Sequence, residues 1–502
     1  MTSDPATGDP TPLGLGTLAV LPETVSRPSY ARADLSAGIL HFGPGNFHRA
    51  HQAVYLDRLM ESGEARDWAI VGASVMESDT ALRRALFRQD LLGTVVSESG
   101  SESEARVTGP MVDYLPIGDA RRILEALVDP RIRIVSLTVT EGGYFVDANT
   151  GRFDPDHPRI RADAANPGAP ATVFGIICRA LAARREAGTG AFTVMSCDNL
   201  PHNGAAARAA VTGLARLVDP ALADWIDAHS SFPNAMVDRI TPATGPRERS
   251  RVVAEFGIAD EAPVFCEDFI QWVLEDDFCA GRPPLERVGV QIVDDVAPFE
   301  TMKIRILNGG HAVLAYPAAL LDIEYVHEAM ADARVRRFLE AVERAEIRPT
   351  VPPVPDMDLD GYVDTILARF ANPRIGDTTR RLCFDGSNRQ PKFVVPTLAE
   401  RLDGGDSIDG LALASALWCR YCEGTTESGA AIASNDPSWE RLTAVAHASR
   451  ADPGAWLAMD DVYGAIGADE RFREAFSSAL GSVRRDGVEA AIARYADAVG
   501  AD

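Results

Sequence analysis

Lysine occurs only at Lys303 and Lys392 in this 502-residue chain, so the 49 basic residues less two leave 47 arginines. Arginine stays protonated in proteins, whereas a desolvated lysine amine can lose its proton near neutral pH, so only lysine can serve as a base. Lys303 opens the run Lys303-Ile304-Arg305-Ile306-Leu307-Asn308-Gly309-Gly310-His311. At about 100° per residue, Asn308 falls about 140° and His311 about 80° from Lys303, and the N-terminal lean of helical side chains lets all three border one pocket. The apolar neighbours Met302, Ile304, Ile306 and Leu307 would lower the amine pKa for general-base work. Gly309-Gly310 costs a helix roughly 1 kcal/mol per residue, which points to close approach of a ligand or another backbone. Glu300, one turn before Lys303, reads either as a relay that passes the proton to solvent or as an acidic first-turn residue. Lys392, before Phe393-Val394-Val395-Pro396, carries no such pattern.

These groups need a scaffold. The apolar run 38–42 ends in Gly43-Pro44-Gly45-Asn46-Phe47-His48-Arg49 and is followed by a helix-like stretch at 53–60. Glycines after a buried strand let the backbone approach a pyrophosphate at a helix N-terminus. Gly43 and Gly45 fit the first two glycines of a dinucleotide fingerprint, but His48 stands at the third, so a plain βα turn fits as well. Further strands are predicted at 68–75, leading to Glu77 and Asp79, at 132–139, leading to Thr140-Glu141-Gly142-Gly143-Tyr144, and at 191–196, leading to Asp198-Asn199. Apolar strands separated by helical stretches predict a Rossmann-like, doubly wound α/β sheet with ligands at its carboxyl ends. Past residue 295, helical periodicity dominates, as at 336–345, 361–370, 408–421 and 471–480. The expected division is a dinucleotide-binding domain over 1–294, with 1–12 a loose tail, and a mainly α-helical substrate and catalytic domain over 295–502.

The formal charge of −24 and a pI near 4.8 disfavour phosphate backbones and anionic lipid, so no nucleic-acid or membrane partner is expected. Seven scattered cysteines do not make a disulfide framework and point to a reducing compartment, the cytoplasm. No segment approaches 18 apolar residues. No metal is expected either: there is no His-Glu-x-x-His, and neither Cys419-x-x-Cys422 nor His48-x-x-His51 has evident further ligands. A short-chain dehydrogenase site needs Tyr-x3-Lys, but Phe299 and Asn388 precede the two lysines by four.

The runs 41–52, 138–144, 196–200, 237–242 and 271–283, with Lys303-x4-Asn308-x2-His311, resemble the polyol-specific long-chain dehydrogenase/reductase (mannitol dehydrogenase) family. The similarity extends from about Leu18 to the C-terminus. It implies a zinc-independent NAD(P)-linked enzyme that interconverts polyols and ketoses, or hexuronates and their reduced forms. It also implies Lys303 as general base, Asn199 and Asn308 holding the developing alkoxide, and His311 orienting the substrate. By the same resemblance Asp238 and Arg381 hydrogen-bond the polyol chain, and the backbone of Val237 and Asp238 lines its far end. Gly43, Gly45, Asn46 and Phe47 hold the cofactor, and Glu77 reads the ribose hydroxyls and favours NAD. Glu77 lies 77 − 43 = 34 positions after Gly43, beyond the usual spacing of about 20, so its role rests on the resemblance. Gly310 departs from the family, which often carries a small hydroxyl residue or alanine there, and this leaves substrate choice open. The expected reaction is reversible, NAD-dependent oxidation of D-mannitol to D-fructose. D-arabinitol or another polyol, or a hexuronate (fructuronate, tagaturonate), is the alternative substrate. A non-catalytic sugar or NAD sensor is the alternative class, and the retention of Lys303 argues against it. The expected partner is a small polyol or ketose, with the protein a monomer or weak homo-oligomer.

Overall fold

In the computed structural model, which describes residues 9–146 and 152–500, the run before the glycine turn is the strand Ala37–Phe42. It lies at the centre of a five-stranded parallel sheet in the order Met111–Tyr114, Ala69–Ala73, Ala37–Phe42, Ile134–Leu137, Thr193–Ser196. Numbered along the chain, that order is 3-2-1-4-5, which reverses direction between Ala37–Phe42 and Ile134–Leu137. The inner strands are buried on both faces, as expected for continuous apolar runs in a parallel sheet. Leu40, Phe42, Val135 and Leu137 pack with Ile123, Ile177 and Val211 from the helices Ala120–Leu127, Val173–Ala187 and Asn203–Val218. Ile39, Ile70 and Ile134 point the other way, into a core with Leu56, Leu59 and Trp272.

The four expected strands are all present, and the edge strand Met111–Tyr114 joins them. Two three-stranded sheets had no counterpart in the sequence reading. One joins Val264–Glu267, Gly93–Glu98 and Ser103–Thr108, and the other joins Gln291–Val293, Gln271–Glu275 and Ala235–Asp238. The expected loose tail ends early, because Thr11–Pro12 pairs in parallel with Ile258–Ala259. Residues 1–8 of that tail lie outside the described residues.

The chain divides into two units, Met1–Val296 and Ala297–Asp502. In the second, Asp409–Tyr421 is buried on nearly all sides and packs against Glu470–Asp486 and Gly309–Leu320. The carboxylate of Glu346 caps Asp409–Tyr421 by accepting from the Gly410 and Leu411 amides at 2.7 and 2.9 Å. Two π-helical segments interrupt the α-helices of this unit, Lys303–Asn308 and Glu343–Ile347.

Candidate active site

In the first unit, the glycine turn follows the central strand at the point where the sheet order reverses. Gly43 has φ +84°, and a Cβ there would lie 2.3 Å from the Thr138 carbonyl oxygen, so only glycine fits. Gly45 differs: a Cβ would meet nothing nearer than the Gly43 oxygen at 3.8 Å. The chain's own packing does not require that glycine, and the open backbone fits a closely approaching pyrophosphate. The Asn46 side-chain amide donates to the Pro242 carbonyl and Thr244 Oγ1, so its backbone is what remains for a ligand. Phe47 stacks on His51. His48, at the third fingerprint position, is buried against His41 with ring centroids 3.5 Å apart. His41 bonds Ser136 Oγ and Thr138 Oγ1, and burial lowers its pKa to about 3. This stacked pair fills the space beneath the turn with neutral imidazoles.

Glu77 is exposed in the single turn Glu77–Asp79, just after Ala69–Ala73. Arg83 and Arg84 both lie in the next helix, Thr80–Arg88. Arg83 donates from Nε to the Tyr114 and Leu115 carbonyls and lies over the Phe87 ring.

Asn199 is exposed at the carboxyl end of Thr193–Ser196. Its neighbour Asp198 accepts from the Val139 and Thr140 amides at 3.0 and 2.8 Å and from the Tyr144 hydroxyl at 2.7 Å. That carboxylate holds Thr140 at φ +66°, a strained conformation for a β-branched residue. Asn203 ties this turn to the strand that carries the next two candidates. Its amide donates to the Asp198 and Ala235 carbonyls at 3.0 and 2.7 Å, and its Oδ1 accepts from the Ala235 amide. Val237 and Asp238 are buried at the end of Ala235–Asp238, with Asp238 opposite Gln271. Arg239 follows and donates to the carbonyls of Ala50 and Glu267 and to Ser97 Oγ. Ala235–Asp238 is thereby anchored to the helix of the glycine turn, Asn46–Ala50. Sequence reasoning missed Asp198, Asn203 and Arg239 as positioning groups. They resemble an ordinary cap, a helix-start residue and one arginine among 47.

In the second unit, Lys303, Asn308, His311 and Glu300 are all buried, whereas Lys392 is exposed on Gly386–Phe393. Three of the four apolar neighbours of Lys303, namely Met302, Ile306 and Leu307, are buried too. The α-helical geometry used for Lys303 and Asn308 requires correction, because Lys303–Asn308 is π-helical. Its i→i+5 bonding winds wider than an α-helix and brings the fifth residue on near the face of the first. Lys303 and Asn308 are five apart, so the π segment aligns them better than the expected spacing did. Glu300 stands in the preceding Ala297–Met302 helix.

Of the two glycines after Asn308, Gly309 approaches another backbone as expected and Gly310 does not. A Cβ on Gly309 would come 3.3 Å from the Phe393 carbonyl oxygen, but one on Gly310 would come 2.3 Å from Glu343 Oε1. The close neighbour of Gly310 is a buried carboxyl, not a ligand or a backbone. His311 stacks on Phe370, and its Nε2 is buried with no hydrogen-bond partner. Burial pushes the His311 pKa well down, and the Arg381, Arg389 and Arg369 charges push the same way. A neutral imidazole results. Arg381 lies in Thr379–Leu382, and its guanidinium is steered by two bonds to the Asp377 carboxylate. Among the described residues no group of three His, Cys, Asp or Glu could hold a metal ion, and no helix is long and apolar enough to cross a membrane.

The 3-2-1-4-5 sheet with a glycine turn at its reversal belongs to the dinucleotide-binding class of α/β folds. Residues 37–287 match the family model described as the mannitol dehydrogenase Rossmann domain, and residues 295–484 match the mannitol dehydrogenase C-terminal domain. The chain belongs to the mannitol dehydrogenase family. It is 57% identical over 473 residues to a mannitol 2-dehydrogenase of Cereibacter sphaeroides, covering 94% of this chain and 99% of that protein. Among solved structures it is similar to the Pseudomonas fluorescens mannitol 2-dehydrogenase in ternary complex with NAD and D-mannitol. That match has a TM-score of 0.87 and 43% identity, over 96% of this chain and 99% of that one. A D-sorbitol dehydrogenase in substrate-free form matches with a TM-score of 0.88 and 38% identity, over 96% of this chain and 100% of that one.

Proposed function

We propose that this chain reversibly oxidises D-mannitol to D-fructose with NAD and without a metal. The observation that carries this reading is the match, over 96% of the chain, to an enzyme solved with NAD and D-mannitol. NAD, when bound, supplies the nicotinamide that accepts or returns hydride. Gly43, Gly45 and the backbone of Asn46 and Phe47 would hold its pyrophosphate, and Glu77 its ribose hydroxyls. Lys303, itself buried, takes the proton from the reacting hydroxyl. The side-chain amides of Asn308 and Asn199 donate to the same oxygen as it becomes negative. His311, neutral, orients the polyol with Arg381 and Asp238, and the backbone of Val237 and Asp238 lines the far end of the chain of hydroxyls. Glu300 passes the proton from Lys303 towards solvent.

In this reading residues 1–294 are the dinucleotide-binding domain, which also supplies Asn199, Val237 and Asp238, and 295–502 are the mainly helical substrate and catalytic domain. All seven cysteines are unpaired, which supports a cytoplasmic enzyme, and we assign it as a monomer or weak homo-oligomer. Nicotinamide absorbance with D-mannitol, D-sorbitol, D-arabinitol, fructuronate and tagaturonate tests the assignment. D-Mannitol should give the highest kcat/KM, and a higher value for another member would move the substrate. Binding without turnover across the panel would make the protein a sensor.

A further inference from the structure

Glu343 has a carboxyl whose two oxygens are both buried and have no hydrogen-bond partner. The residue is 1% exposed and opens the π-helical segment Glu343–Ile347. The next residue, Arg344, turns to Glu340 and Asp364 and does not pair with it. Burial pushes the Glu343 pKa well up, with a smaller opposing effect from the Arg344 charge. Its Oε1 occupies the place where a Cβ on Gly310 would stand, and the Phe370 ring edge lies 3.5 Å from that same point. Phe370 is also the ring on which His311 stacks, and His311 is the residue after Gly310. Carboxyl, missing Cβ and aromatic ring thus converge on one point of backbone beside the imidazole.

Glycine in a helix and an unpaired carboxyl in a core are each unfavourable, and an apolar residue with an alanine opposite would pack better. Their occurrence together marks a constraint other than stability. We propose that Gly310 and Glu343 are a matched pair that sets the position of His311: the Glu343 carboxyl fills the space of the absent Cβ and fixes the turn that carries the imidazole. Glu343 is therefore a positioning residue, and Gly310 is the position that admits it. The inference rests on the reading of His311 as the group that orients the polyol.

Steady-state kinetics of five variants test the pair. Gly310→Ala should raise the D-mannitol KM about tenfold and leave the NAD KM within about twofold, since only polyol orientation is disturbed. Gly310→Ala/Glu343→Ala should recover at least about half of that change, because the new methyl enters the vacated space. Glu343→Gln, with the same shape, should keep both KM values within about twofold, whereas Glu343→Ala alone should raise the D-mannitol KM about fivefold. A merely structural role would lower the active fraction and leave both KM values unchanged. Wild-type D-mannitol KM in Gly310→Ala, or a double variant worse than Gly310→Ala, overturns the pairing. Should Gly310→Ala not fold, equal KM values for Glu343→Gln and Glu343→Ala overturn it. His311→Ala separates the two readings: unchanged D-mannitol KM removes the role of His311 itself, while a raised KM beside a silent Gly310→Ala removes only the pairing.

Discussion

His311 lies face to face with Phe370, ring centroids 4.2 Å apart and planes 15° from parallel. The imidazole has no hydrogen-bond partner at Nε2, so its orientation depends on the ring behind it. Such stacking contributes about 0.5–1.5 kcal/mol beyond burial. Phe370→Leu keeps the site apolar and removes the flat support, so the D-mannitol KM should rise roughly 2- to 12-fold. NAD KM should stay as it was. An unchanged D-mannitol KM would show that the ring does not orient the imidazole.

Lys303→Ala removes the proposed base and leaves the residues of the glycine turn unsubstituted. Its kcat should fall by about 10²–10⁴, while NAD affinity from fluorescence titration stays within about twofold. Retention of more than about a tenth of the wild-type turnover would contradict the assignment.

Glu77 is exposed after the second strand, and Arg83 is committed to the Tyr114 and Leu115 carbonyls. A carboxylate there accepts from ribose hydroxyls and repels a 2′-phosphate. Glu77→Lys should therefore raise the NADP-to-NAD ratio of kcat/KM by about tenfold or more. Equal use of both cofactors by the unsubstituted protein, or no change in the ratio, would assign ribose reading elsewhere.

Stability should depend on pH in two opposite senses. His41 has a folded pKa lowered to about 3, so its stabilising contribution is complete above the unfolded value of 6.5 and is lost as pH falls from there towards 3. The slope is about 1.4 kcal/mol per pH unit. Glu343 is raised instead, so its contribution is complete below the usual carboxyl value and is lost as pH climbs towards the folded value. Urea midpoints should thus fall on acidification less steeply in His41→Gln than in wild type. Glu343→Gln should be more stable than wild type at neutral and mildly alkaline pH. Parallel midpoint curves for wild type and His41→Gln would contradict the first expectation, and a less stable Glu343→Gln the second.

The legible parts of the fold were those whose physics is local. Ala37–Phe42, Ala69–Ala73, Ile134–Leu137 and Thr193–Ser196 are buried on both faces and announce themselves as apolar runs. Met111–Tyr114 is half-buried because it lies at the sheet edge, and each small sheet includes a pairing remote in sequence, Val264–Glu267 with Gly93–Glu98 and Gln271–Glu275 with Ala235–Asp238, which no local pattern announces. The lysine stood out through composition. The π geometry at Lys303–Asn308 did not, since one i→i+5 turn leaves no periodic signature. Gly309-Gly310 did signal a close approach, but Glu343 looks like one more charge on an amphipathic helix until Ala333–Val342 ends and the π turn carries it inward.

The reach of Arg239 back to the Ala50 carbonyl spans 189 positions of sequence. A chain emerging from the ribosome completes all five strands of the parallel sheet before that arginine exists. At roughly 5–20 residues per second, the helix of the glycine turn waits on the order of 10–40 s for its anchor. Val264–Glu267, the partner of Gly93–Glu98, arrives later still. The nascent protein therefore holds a finished sheet with the helix of the glycine turn still unanchored while the 239 − 196 = 43 residues from Ser196 to Arg239 are made. Until Val264–Glu267 is made, the margin of Gly93–Glu98 that it will cover is an unpaired strand edge open to association with other chains.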